Sequence, residues 1–464
     1  MSRRSIIHKI RCILYTCLVL FVATGCGKKN VDYISDENTD NVEIVATKTL
    51  KEQYEIPDSW TETGVGINNN VSIEAQITVP DATAMCVLDM SRKQYDAKAK
   101  KELIEYLNEG KVYKYDFQYY TKDMILPYLE AAQESIDYAT ETGMFNEYAY
   151  LEDMYYDELE KYSTAYENAP EELILADDYE NNEFLIEYNG YEYDVYIHEN
   201  EIGMDLLHTY KDVYGGKQES YYGIQVDYET TVTDDSDNMC TISKENAKKM
   251  AVDFLETIEI YDFGVIDILP AYFNGEGDAG YDAWHNGYTV VFGREIDGVI
   301  IDGSKQGITN DTNMQNDIAW LQFSENTNVM EFDWEKDPGI RKITVTERIY
   351  VVINDEGVIS FKYENPLVME NIQTDNVQLL SFDNIKNYFL IELENKEYYE
   401  KLRYIYCDLT YFPYKNVENT DDVAIIPVWV LNNVMYKNPI IVNAIDGSIV
   451  NLGSQYIEII SVDE

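Results

Sequence analysis

The side chains that could do chemistry are scattered in this 464-residue chain and form no catalytic signature. Past the N-terminal region, only His198, His208 and His285 could exchange protons near neutral pH. No HExxH spacing sets two imidazoles on one helix face for zinc, and no GxSxG elbow or GxxxxGK[ST] loop is present. Cys86, Cys240 and Cys407 lie far apart without a CxxC pair. They make neither a zinc site nor a disulfide framework, although one bridge among them stays open. Hydrolysis by paired carboxylates needs two acids at a set separation in a cleft, and 86 acidic residues single out no pair. Asp234, Asp235 and Asp237, or Asp177, Asp178 and Glu180, could supply oxygen ligands to calcium. Neither run has the EF-hand spacing, so solvated loops are the expectation. Of the five tryptophans, Trp429 sits in an apolar run and reads as core. Trp284, Trp320 and Trp334 fall in or near a Gly- and Asn-rich stretch. They could form a sugar- or peptide-binding face, or pin the loops that carry them. No metal, cofactor or catalytic residue is assigned.

The charge balance narrows the partners. Lys and Arg number 35 against 86 Asp and Glu, a net charge of −51. Nucleic acid and polyanionic wall polymers need clustered cations and are poor partners, so no nucleic acid is expected. Cationic partners and divalent counterions suit this charge, while solubility alone also accounts for it. Tyrosine is unusually frequent, at 42 residues. Its ring buries while its hydroxyl stays wet, which suits both cores and recognition surfaces.

The elements that would position these groups alternate in type. VSIEAQITVP, from Val71 to Pro80, has period two and predicts a strand with one buried face. A short strand follows near Met85 to Met90. Asp96–Asn108, Thr121–Thr142 and Asn146–Asn168 predict helices, with Pro127 able to bend the second. FLIEYNGYEYDVYI predicts a hairpin turning at Asn189-Gly190, and Glu201–Tyr210 a further strand. The polar run TTVTDDSDN then separates a second half that carries a weak repeat. Ser243, Glu245, Asn246 and Lys248 match Ser381, Asp383, Asn384 and Lys386 at an offset of 138, each set opening an amphipathic helix behind an N-cap. Each copy closes on a hairpin, Arg348–Phe361 and Asn438–Asn451, with Gly357 and Ile359 matching Gly447 and Ile449 at an offset of 90. The first copy is therefore longer, and Asn274–Asn328 is the expected place of the extra chain.

The N-terminus carries an address. Met1 to Arg11 is basic and free of acids. Cys12 to Ala23 is mostly apolar but too short to span a membrane, and Ala23-Thr24-Gly25 precede Cys26. This ATGC resembles the lipobox of bacterial lipoproteins, with Ala23 where that pattern usually has Leu. The resemblance implies cleavage before Cys26, attachment of diacylglycerol there, often N-acylation, and a place on the outer face of the cell membrane. Gly27–Thr49 is polar and aperiodic and reads as a tether.

Ile426-Pro427-Val428-Trp429-Val430 and Val442-Asn443-Ala444-Ile445-Asp446-Gly447 resemble the end of a PepSY-type module. Such modules occur in exported bacterial proteins, including protease propeptides and membrane-linked regulators of sensor kinases. The layout also resembles uncharacterised clostridial lipoproteins of a domain-of-unknown-function family, with a strand ending in Val79-Pro80-Asp81-Ala82. An α+β fold is expected, with antiparallel sheets and packed helices. Its parts would be a signal peptide (1–25), lipidated cysteine and tether (26–49), an N-terminal α+β domain (50–230), and two PepSY-like modules (241–370 and 371–464). The expected function is a non-enzymatic binding or regulatory lipoprotein acting on a protein partner. The alternative is a solute- or glycan-binding surface lipoprotein.

Overall fold

A computed structural model describes residues 48–108, 111–115, 117–176, 178–198, 201–206, 238–273, 284–303, 339–342, 346–394, 401–415, 422–433, 439–450 and 457–460. The chain divides into two units, Met1–Asn41 and Val42–Glu464, and all described residues belong to the second. Cys26 and most of the expected tether, like Asp177, Asp234, Asp235, Asp237 and His208, lie outside the described residues.

The first described element starts beside Thr49, the last residue of the expected tether. Thr49 and Glu52 form a reciprocal capping box that starts α1 (Leu50–Gln53). Strands β1 (Ser59–Val65), β2 (Val71–Thr78) and β3 (Val87–Arg92) follow, then α2 (Ala97–Asn108) and β4 (Tyr113–Lys114). Next come α3 (Lys122–Thr142), α4 (Met144–Glu147) and α5 (Ala149–Asn168), then β5 (Glu183–Tyr188), β6 (Tyr191–Ile197) and β7 (Glu201–Leu206). The second half holds α6 (Lys244–Thr257), β8 (Phe263–Phe273), β9 (Trp284–Ile296), β10 (Val299–Ile300), β11 (Gly339–Lys342), β12 (Arg348–Asn354), β13 (Gly357–Glu364) and β14 (Leu367–Thr374). It closes with α7 (Phe382–Glu394), β15 (Leu402–Lys415), β16 (Asp422–Asn433), β17 (Ile440–Asn443) and β18 (Ile457–Ile460). The fold is α+β, with sheets that are mainly antiparallel, as the sequence led us to expect.

Local chemistry explains most elements. On β2, Val71, Ile73, Ala75 and Ile77 are buried while Glu74 and Gln76 face water. The β5–β6 hairpin turns at Asn189 and Gly190, both at positive φ, as a tight two-residue turn between twisted strands requires. Helix α3 runs on through Pro127 and stops at Gly143 in the left-handed conformation. The predicted third helix is broken, with α4 and α5 meeting at Tyr148.

Strand partners come from far along the chain. The first sheet runs β1-β2-β15-β16-β3-β14, with β17 also on β16. The second runs β10-β9-β12-β13-β7-β6-β5-β4, with β8 also on β9. Strands before residue 230 therefore sit in both sheets beside strands of the second half. One pair, β2 with β15, is parallel.

The repeat is visible in three dimensions. Ser243 and Ser381 each accept a hydrogen bond from the backbone three residues on, Asn246 and Asn384. Ala247, Ala251 and Leu255 are buried on α6, and Ile385, Phe389 and Leu393 occupy the same positions on α7. Each helix leads into an antiparallel meander: β8-β9-β12-β13 in one copy, β15-β16-β17 and a bridge to Ile449 in the other. Since β9 corresponds to β16, the extra chain of the first copy lies between Ile296 and Arg348. The expected stretch, Asn274–Asn328, started too early and covers the first part of it. Two glycines of that stretch serve close backbone approach within β9. A Cβ on Gly293 would stand 2.2 Å from the Ile301 carbonyl oxygen, and one on Gly287 (φ +122°) 2.2 Å from that of Ile353.

Two helices cover one face of the second sheet. Residues Ile104 of α2 and Ala247, Ala251 and Phe254 of α6 share a core with Phe184, Val195, Met204, Phe292, Val351 and Phe361. Phe254 meets Phe361 edge-on at 5.3 Å. On the first sheet, α7 packs Phe382 and Phe389 around Trp60 and the fully buried Trp429, confirming Trp429 as core.

Candidate functional site

The opposite face of the second sheet holds the most unusual chemistry. Side chains alternate along a strand, so burying Tyr193, Val195 and Ile197 on one face turns Asp194 and Tyr196 to the other. Register then aligns a row across the sheet: Leu185 faces Asp194, Asp194 faces Asp205, and Asp205 faces Ser360. Two carboxyl groups thus stand side by side on neighbouring strands.

A helical hairpin roofs this row at its Leu185 end. The start of α3 and the residues before it supply Tyr120, Met124 and Ile125, which pack on Leu185. From the far arm, Ala165, Tyr166, Ala169 and Leu173 join them. Hydrogen bonds run from Tyr120 to Tyr115 and from Tyr115 to the Asp194 carboxyl. The other Asp194 oxygen, Oδ1, is out of water and has no hydrogen-bond partner among the described residues.

Burial favours the neutral acid, and the charge of Asp205 adds to it, so the Asp194 carboxyl is pushed up to about 7 despite the Tyr115 hydroxyl. Burial likewise raises Asp205, with Ser360 and Lys362 pulling the other way. Lys362 bridges Glu201 at 2.8 Å and Glu364 at 3.0 Å, closing the polar face. A carboxyl near 7 beside a second carboxyl has the composition of an acid–base pair. Structural networks produce the same signature. Here both acids are engaged by the fold itself: Asp194 by the roof and Asp205 by its own sheet.

Next to the pair, the hydroxyl end of the Tyr196 ring lies against Gly203 on the adjoining strand. A Cβ at Gly203 would come within 2.0 Å of that ring. Gly203→Ala is expected to displace the ring and cost about 1–3 kcal/mol in a urea melt. Tyr196→Ala made alongside it should recover part of the loss. Equal losses with and without the ring would contradict the contact.

A second charged centre joins the sheets. Arg294 of β9 holds Glu347 through Nε and Nη2, both at 2.6 Å, with the Glu347 side chain only 2% exposed. Glu347 also accepts from the Tyr363 hydroxyl at 2.5 Å and the Leu367 backbone N–H at 2.8 Å. The guanidinium lies over the Phe263 ring at 4.6 Å. Burial opposes the Arg294 charge, but Glu347 outweighs it and keeps the group fully charged. Because Leu367 opens β14 of the first sheet, this centre pins the crossing between sheets.

The other sequence candidates separate. Trp284 opens β9, where it pairs with Phe273 across β8, and so stands on a repeat strand. Trp320 and Trp334 lie outside the described residues, as does lipidation candidate Cys26. Cys86, Cys240 and Cys407 are all free thiols, so none of them forms the bridge left open above. The Cys86 sulfur is 3.3 Å from the Tyr411 hydroxyl, and burial raises its thiol, which works against a reactive thiolate. His198 is exposed, tilted against Tyr196. Asp178 accepts from the Glu180 backbone at 3.0 Å, shaping its own turn. Among the described residues no group of three or more His, Cys, Asp or Glu could hold a metal ion, and no helix is long and apolar enough to cross a membrane.

Sequence reading missed the hairpin's outer end. Its base is buried against the sheet, yet Tyr138, Tyr148, Tyr150, Met154 and Tyr156 are exposed. Phe145 gathers Tyr155 and Tyr156 at 5.8 and 6.5 Å, and Tyr148 meets Tyr150 at 6.4 Å. The signal was present in NEYAYLEDMYYDELE, whose aromatics exceed what one buried stripe can take.

The chain matches no protein-family model and no curated protein. Among solved structures it is similar to an uncharacterized protein from Eubacterium rectale ATCC 33656, with a TM-score of 0.40 and 11% identity, covering 86% of this chain and 94% of that one.

Proposed function

We propose that this is a lipoprotein held on the extracytoplasmic face of the cell membrane through Cys26, acting without catalysis as a binding or regulatory protein on a protein partner. The observation that carries the reading is the division of labour between interior and surface. Arg294, Glu347, Asp205 and Lys362 are engaged by the fold's own contacts. The exposed aromatic surface stands outside, at the end of the helical hairpin. Large exposed aromatics on a soluble surface favour interaction sites. The basic, apolar and small-residue zones before Cys26 supply the address.

Labelled palmitate fed to cells tests the anchor. Wild-type protein should take up label and sediment with membranes, and Cys26→Ala should do neither. An unlabelled wild-type protein, or a labelled Cys26→Ala variant, would overturn the assignment of Cys26.

A further inference from the structure

We infer that the outer end of the α3–α5 hairpin is a docking surface for a Lys- or Arg-bearing segment of a protein partner. This rests on the partner-binding reading above and gives the partner its chemistry. Three observations carry it. First, α3 rises about 30 Å at 1.5 Å per residue, so an arm pinned at Tyr120, Met124 and Ile125 holds its far end well away from that base. Second, that end is aromatic and exposed, with Tyr150 at 68%, Tyr148 at 49% and Tyr156 at 48%. Third, its charge has one sign. From Asp123 to Glu160 there are eleven acids and no Lys, Arg or His.

Helical spacing mixes the two chemistries. Tyr156 shares its face with Glu152, Asp153 and Glu160, three or four residues away, and Tyr138 with Glu134 and Glu141. A ring flanked by carboxylates binds a guanidinium or ammonium by its face and its charge together. The hairpin base shows the same pairing made within the chain. Lys122 lies over Tyr166 at 5.3 Å, and Lys161 over Tyr162 at 5.5 Å. At the outer end the hairpin supplies no cation, so the partner must. A second copy of this chain, at −51, is repelled, and so is an anionic lipid surface.

The probe is a fluorescein-labelled peptide bearing four spaced arginines, titrated by anisotropy against purified full-length protein in a nonionic detergent. Tyr150→Ser/Tyr156→Ser should weaken binding at least five-fold, while Tyr150→Phe/Tyr156→Phe should keep it. Neutralising two remote acids, Asp81→Asn/Asp375→Asn, should change it less than two-fold. Equal weakening by the remote variant would show diffuse charge attraction and overturn the proposal. So would binding of phosphatidylcholine vesicles, or self-association in ultracentrifugation, that is lost with the serine pair in place of peptide binding. A cell-surface partner captured equally by wild type and the serine pair would leave the partner-binding reading standing and remove this surface from it.

Discussion

Replacing Asp194 with Asn will stabilise the protein at pH 8 and leave it nearly unchanged at pH 4. In the unfolded chain this carboxyl ionises near 3.8, and in the fold it is pushed up to about 7. Between those values the folded state holds a proton that the unfolded state has released. Stability contributed by the neutral acid is therefore present below about pH 4 and is lost as pH rises through 7. At about 1.4 kcal/mol per unit, ionised Asp194 costs on the order of 2–4 kcal/mol at pH 8. Asn keeps the shape and an oxygen that accepts from Tyr115, yet carries no charge to desolvate. Urea melts of both proteins from pH 4 to pH 8 should diverge steadily, with the variant the more stable at the upper end. Parallel curves would mean that Asp194 is as well solvated folded as unfolded.

Arg294→Met should be the most damaging substitution of a single charged residue. It strands the Glu347 carboxylate, whose side chain is 2% exposed and which keeps the Tyr363 hydroxyl and the Leu367 N–H as hydrogen-bond donors. Breaking a buried pair from one side costs about 3–5 kcal/mol. Adding Glu347→Gln removes the stranded charge while keeping an oxygen for Tyr363 and Leu367. The double variant should regain about half of the loss, in a thermal or urea melt of each protein. Additive losses would show that the two groups act independently and that the inter-sheet crossing does not depend on their pairing.

Local structure was legible where one short segment decides it. VSIEAQITVP states its strand by alternation, Asn189-Gly190 states its turn by tolerance of positive φ, and Ser243 and Ser381 state their helix starts by their hydroxyls. Assembly was not legible. β2 pairs with β15 across more than three hundred residues, and nothing local in either strand names the other. The extra chain of the first copy was started too early because glycine marks both loops and close backbone approach, and Gly287 and Gly293 do the latter. Asp194 and Asp205 were hidden for a related reason. An acid at an alternating strand position reads as solvent-facing, and the hairpin that packs on Leu185 beside Asp194 comes from a separate part of the chain. Trp284, singled out by residue type, opens β9, a strand of the repeat.

The reading as an anchored partner-binding protein meets its most direct test in crosslinking from intact cells, with the chain tagged at Glu464. Wild type and Asp194→Asn should capture the same cell-surface protein, and Cys26→Ala, released from the membrane, should lose it. No reproducible partner, from a wild-type protein that is abundant and stably anchored, would contradict the account.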